Sequence, residues 1–189
     1  VHTQAVEGHR FAVISGGPGT GKSQLAAEYD NGVEKGVWTT GGDSVDQMLV
    51  SLAGVLGITQ ASSESKSIAE GARLALARMD SDVLWVVDDL RDLGLVNELV
   101  NSAGQARVLI TTRDSRHHLL DPMVSYHHLN VLLPGPATQL LCSRNQTHCG
   151  DPVLEEIAES VGRLPLALEM LSIRLAQPLQ NPAGLLEEM

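Results

Sequence analysis

At 189 residues the chain has room for one α/β domain with a small appendage, and two large domains would not fit. Its formal net charge of −10, from 13 Lys and Arg against 23 Asp and Glu, argues against a nucleic-acid partner, because phosphate backbones need clustered basic residues and these are scattered. No apolar run approaches the roughly 20 residues of a membrane span and no signal-peptide pattern opens the chain, so a cytoplasmic protein without a membrane partner is expected. The start at Val1 and the end inside a helical pattern, Leu185 to Met189, suggest a piece of something longer.

Residues 1–9 are polar and unpatterned and read as an approach segment. Phe11 to Ser15 form an apolar first strand of the kind buried in parallel sheets. Directly after it, Gly16-Gly17-Pro18-Gly19-Thr20-Gly21-Lys22-Ser23 fits G-x-x-x-x-G-K-[ST] and opens into a helix running to about Asn31. Phosphate binding needs this order. A strand delivers the chain, glycines let backbone N–H groups curl round an anion, and a helix N-terminus points its partial positive charge at the same place. The candidate nucleotide-binding set is therefore Gly17, Gly19, Thr20, Gly21, Lys22, Ser23 and Gln24. Lys22 would reach the β- and γ-phosphates and the Ser23 hydroxyl would ligate Mg²⁺. A chance Gly-rich turn is the bland alternative, and the flanking strand and helix weigh against it.

Asn31-Gly32 should end the first helix with left-handed cap residues. Gly36 to Thr40 is a short second strand, Gly41 to Ser44 a turn, and Val45 to Leu56 a helix with apolar positions at helical spacing, closed by Gly57. Thr59 to Lys66 is Ser-rich and reads as a mobile loop before a helix over 68–79. Asp82 to Val87 then reads as a central strand with two carboxylates, Asp88 and Asp89, emerging at its carboxyl end, where open α/β sheets bind ligands. Asp88 would hold Mg²⁺ and Asp89 would orient or deprotonate a water attacking the γ-phosphate. Alternatively the two acids cap the turn that follows.

A helix over 93–100 and a buried strand over 107–113 come next. In P-loop folds whose water-activating carboxylate follows the magnesium carboxylate, this strand inserts between the first and third. Thr111, Thr112 and Arg113 should then face the γ-phosphate, with Arg113 as its sensor; a surface Arg after a strand is the competing view. A short helix over 114–120 and a last strand over 124–131 follow. His117, His118, His127 and His128 invite a metal reading, but adjacent strand residues point to opposite faces and no carboxylate stands at ligand spacing.

After Pro134-Gly135-Pro136 the pattern is helical only, which divides the chain into an α/β domain over 1–133 and a helical subdomain over 134–189. Ala137 to Cys142 is a short helix, 143–151 a polar loop, and Pro152 begins a second helix at its favoured first turn. Gly162-Arg163-Leu164-Pro165-Leu166-Ala167-Leu168 starts a third that stops before Pro178; the Pro165 ring could be an ordinary helix start or pack on an adenine. Cys142 and Cys149 read as separate reduced thiols, since a closed zinc site needs four spaced ligands.

With GGPGTGKS, VLWVVDDL, VLITTRD and GRLPLAL in that order, the chain resembles the NB-ARC branch of the STAND nucleotide-binding proteins over nearly all of residues 10–177. That group includes plant disease-resistance proteins, the apoptosome scaffold and bacterial regulators with repeat sensors. The resemblance implies a P-loop NTPase three-layer sandwich with a five-stranded parallel sheet and a small helical subdomain. It makes Gly16 to Ser23 the Walker A motif, Asp88 with Asp89 the Walker B motif, Arg113 the γ-phosphate sensor and Pro165 the proline on the adenine. It also implies ATP or ADP with Mg²⁺, slow hydrolysis that resets a signal-transduction switch, and homo-oligomers of the activated parent. The family's winged-helix subdomain would lie beyond Met189. Two rivals are an AAA-type ring motor and a nucleotide-binding assembly module that never turns over. Gly71-Ala72-Arg73 looks like a motor's second sensor but precedes the Asp88 strand. A small-molecule kinase is disfavoured because no Arg-rich lid follows the core.

Overall fold

The computed structural model describes residues 9–58, 65–79, 82–144, 146–177 and 180–189. The approach segment up to residue 8 and the Ser-rich residues 59–64 lie outside these. Five strands, β1 (Phe11–Ser15), β2 (Lys35–Thr40), β3 (Val83–Leu90), β4 (Arg107–Thr112) and β5 (Ser125–His128), form one parallel sheet in the order β2-β3-β4-β1-β5. β4 lies between β1 and β3, as the expected insertion requires.

Side chains alternate across the sheet with a period of two, and each set meets its own helices. Ala12, Ile14, Leu84, Val86 and Leu109 pack with Ala26 of α1 (Lys22–Asp30) on one face. On the other, Val13, Trp85, Val87, Val108 and Ile110 pack with Met48 and Leu52 of α2 (Val45–Val55), Ala72 and Leu76 of α3 (Ser65–Arg78) and Leu99 of α4 (Val96–Ser102). The layers are helix, sheet, helix. Trp85 is fully buried and its indole N–H donates to Thr39 Oγ1 at 2.8 Å, so its one polar atom is satisfied inside the core.

Local side-chain bonding accounts for two of the departures from the expected boundaries. The helix expected over 114–120 is only a single tight turn, His117–Leu119. The Asp114 carboxylate accepts the Arg116 backbone N–H at 3.0 Å, an alternative to helix that short acids favour. Asp92 accepts the Gly94 N–H at 2.9 Å and tightens Leu93–Leu95 ahead of α4. β5 is shorter than expected because β1, its only neighbour among the described residues, ends where Ser15 meets His128. Asn31 and Gly32 do not adopt left-handed backbone; α1 closes through Gly32 N–H to Tyr29 O and Val33 N–H to Asp30 O. α3 begins at Ser65, inside the segment expected to be a loop.

The described residues divide into two compact units, one holding those up to Gly16 and within Lys22–Leu129, the other those within Gly17–Gly21 and Asn130–Met189. In the second, α5 (Pro134–Leu141), α6 (Val153–Ser160), α7 (Pro165–Leu175) and α8 (Pro182–Glu187) enclose Leu141, Leu154, Ile157, Leu168, Leu175 and Leu185. The reading of Cys142 and Cys149 as separate thiols is overturned: they form a disulfide, with Cα atoms 5.4 Å apart. Cys142 caps α5, and the tight turn Gln146–His148 brings the chain back onto it. Such bonds are uncommon in reducing compartments, so the pairing does not favour the expected cytoplasmic location. No helix among the described residues is long and apolar enough to cross a membrane.

A seven-residue separation between paired cysteines corresponds to about 2 kcal/mol of loop-closure stabilisation. Chemical denaturation of the Cys149→Ser variant should show that loss, and added reductant should bring the wild type to the same midpoint. An unchanged midpoint in both would remove the bond from the stability of the fold.

Candidate functional site

β1 ends at Ser15, and the chain crosses from there to Lys22, the first residue of α1, through the Gly-rich loop. Within the loop, Thr20 is buried and its hydroxyl donates to Gly17 O at 2.9 Å. Gly19 has φ of +73°, and a Cβ there would stand 3.2 Å from both Leu164 Cδ2 and Leu166 Cβ, so no other residue fits without displacing them. The Leu166 N–H, one of the first-turn donors of α7 that no helical carbonyl can reach, donates to Gly19 O at 3.1 Å. Pro165 stands between these two leucines as the first residue of α7.

Ser23, the second residue of α1, donates from Oγ to Asp88 Oδ1 at 2.8 Å across 65 residues of sequence. Thr111 Oγ1 donates to the same oxygen at 2.5 Å. Two hydroxyls from β4 and α1 thus converge on one carboxylate at the end of β3. Asp89 is placed by a bulge: between Val87 and Leu90 the register advances three residues on β3 against two on β4. Asp89 takes φ of +57°, and its N–H turns to Thr111 Oγ1 at 2.9 Å. The extra residue allows both acids to serve the same edge of the sheet, where strict alternation would put neighbours on opposite faces. Gly41 makes room for the bulge, since a Cβ there would lie 2.5 Å from Leu90 Cα and 2.9 Å from Asp89 O.

Arg113, just past β4, forks onto Asp89 with Nε 3.2 Å from Oδ1 and Nη2 3.4 Å from Oδ2. Lys22 is nearly buried, and its ammonium is held below its ordinary pKa by burial and by the Arg113 charge, against the opposing pull of Asp89 and Asp88. Two cations and two anions therefore share the carboxyl ends of β3 and β4 and the start of α1. Of the residues singled out from sequence, Lys22, Ser23, Asp88, Asp89 and Arg113 meet in one cluster. Gln24 does not join it; its amide reaches along α1 to Glu28 Oε1 at 3.2 Å.

Asp114 closes the VLITTRD string and was given no role from sequence, yet it ties the two loops beyond the cluster together. It accepts Leu93 N–H at 3.1 Å and the Arg116 guanidinium, which also reaches Asp92 at 2.9 Å. The Asp-Ser-Arg spacing after the strand is the only sequence signal for it. The Arg116 side chain holds the Asp114 carboxyl far below the usual carboxylate range, with burial opposing.

Compared with known proteins, the sequence matches no family model and no curated protein. Solved structures do match. A STAND protein with a tetratricopeptide-repeat sensor from Pyrococcus horikoshii superimposes with TM-score 0.63 over 99% of this chain at 18% identity. The fold is that of a P-loop NTPase. A Walker-type ATPase of Pyrococcus abyssi matches with TM-score 0.66 over 98% of the chain at 12% identity. This P-loop chain spans 31% of the length of the first protein and 67% of the second.

The depressed acidity of Asp114 has a defined sign. Its stabilisation is complete above the unfolded aspartate value, about 3.9, and is lost as the pH falls from there toward the lower folded value. Asp114→Asn should therefore be less stable than wild type at neutral pH, with the gap closing below about pH 4. Acid titration of both by circular dichroism checks it, and a gap independent of pH would contradict the assignment.

Proposed function

We propose that this chain is the ATP- and ADP-binding switch module of a STAND-type ATPase of the NB-ARC kind, hydrolysing ATP slowly and controlling the oligomerisation of a larger parent. The observation that carries the reading is the 2.8 Å bond from Ser23 to Asp88, which joins the phosphate-loop helix to the acid pair. Gly17, Gly19, Thr20 and Gly21 would offer backbone N–H groups to the phosphates, and Lys22, already destabilised as a buried cation, gains when an anion arrives. Ser23 and Asp88 present the hard oxygen donors that Mg²⁺ takes. Bound there, the ion would neutralise charge on the β- and γ-phosphates.

Asp89 would accept the proton of the attacking water, which requires that its carboxylate be released from Arg113. Both partners are substantially exposed, 41% and 63%, and such a pair is worth about 0–1 kcal/mol, so a γ-phosphate competes for the guanidinium at little cost. Arg113 would thereby sense the γ-phosphate and free the base in one movement. A ligand that distinguishes two states in this way shifts their populations by its differential affinity. Pro165, at the start of the helix whose Leu166 N–H reaches Gly19, is the candidate to pack on the adenine. The ring-motor reading finds less support: its second-sensor arginine would lie in the last helices, where the candidates Arg163 and Arg174 pair with Glu159 and Glu188 of their own helical unit.

Lys22→Ala is expected to abolish measurable ADP binding in titration calorimetry without unfolding the protein; retained affinity would refute the phosphate role. Asp89→Asn should slow single-turnover ATP hydrolysis by about 10²-fold or more while leaving ATP affinity near wild type. Equal background rates for both proteins would favour an assembly module that binds nucleotide without turnover.

A further inference from the structure

Ser15, the last residue of β1, is fully buried, and its hydroxyl lies between two side chains of the edge strand β5. It donates to Tyr126 Oη at 2.6 Å and lies 2.8 Å from His128 Nδ1. With the Ser15 proton directed at Tyr126, the Nδ1–H of His128 is the donor to Ser15 Oγ. The main chain adds a third bond, Leu129 N–H to Ser15 O at 2.7 Å. Tyr126 is itself held, its ring 5.1 Å from that of His117. Three bonds therefore fix the residue at which the chain leaves the sheet for the phosphate loop. A buried hydroxyl is costly unless partnered, so the position would be easier to fill with an apolar residue if packing were all it did.

We propose that Tyr126 and His128 are positioning residues for the phosphate loop, acting through the Ser15 hydroxyl. They touch no reacting group; they set the direction in which the chain leaves β1 at Ser15 and enters Gly16, the residue from which the loop departs. The proposal rests on the nucleotide reading only for what the loop holds.

Amide hydrogen exchange of the nucleotide-free protein tests it, comparing the peptide over residues 16–23 with peptides from β3 and β4. His128→Leu should speed exchange in the loop peptide by roughly three- to tenfold, the size of one lost hydrogen bond, with β3 and β4 unchanged. His128→Asn, whose amide N–H can occupy nearly the place of Nδ1–H, should restore the slow rate. ADP affinity should fall and recover in the same order, with adenosine affinity constant. Unchanged loop exchange in His128→Leu, equal acceleration of loop and core, or failure of Asn to rescue each overturns the proposal. If wild type binds no ADP, the nucleotide function fails while the exchange result still decides the tether.

Discussion

One carboxylate oxygen holds the candidate site together. Asp88 Oδ1 accepts the hydroxyls of Ser23 and Thr111, and those residues come from α1 and β4. The convergence requires β1, β4 and β3 to lie side by side in that order, because β1 delivers the loop and α1 while β4 supplies Thr111. The sheet order is in turn maintained by apolar strands buried on both faces, where a one-residue slip would exchange the two sets of core side chains. The polar cluster depends on apolar register, and any change that slips β3 against β4 moves both acids at once.

The chain's net charge of −10 gives its surroundings a field that repels nucleotides. Attraction must be local. Within the cluster Lys22 and Arg113 balance Asp88 and Asp89, and the balance is uneven in accessibility: Lys22 is nearly buried while Arg113 is exposed. A buried cation with depressed basicity is the one that gains most from an anion, and an exposed arginine in a weak pair is the one most readily redirected. The two positive groups thus differ in how readily an anion could redirect them.

Elements whose signal is local were legible in the sequence. The β1-loop-α1 unit follows from an apolar run, glycines and a lysine in fixed order, and the acid pair follows from a Val-rich strand ending in carboxylates. The placement of β4, which carries Thr111 with Arg113 just beyond it, between β1 and β3 was expected from P-loop folds in which the water-activating carboxylate follows the magnesium carboxylate. Part of what escaped was set by partners distant in sequence, and part by local bonds that pattern alone does not announce. The bulge at Asp89 exists because Thr111 takes its N–H and Gly41 leaves space for it, and neither residue announces that in its own neighbourhood. The disulfide escaped because spacing alone does not reveal that a turn returns Cys149 to the cap of α5. The short helix expected after Arg113 failed because Asp114 bonds the backbone that a helix would need.

β5 shows how an edge strand can be both protected and useful. An edge presents unpaired backbone groups that invite pairing with other chains, and short, polar strands limit that risk. β5 has four residues, Ser125, Tyr126, His127 and His128, none fully buried. Protection alone would be met by any polar residues pointing outward. Here Tyr126 and His128, two apart and so on one face, both turn to Ser15, whereas His127 on the other face bonds Ser125 of its own strand. Only the face that meets the end of β1 is committed to holding the loop's origin. The division of labour between the two faces follows from the period-two geometry of the strand, and it places the tether at the residue from which the phosphate loop departs.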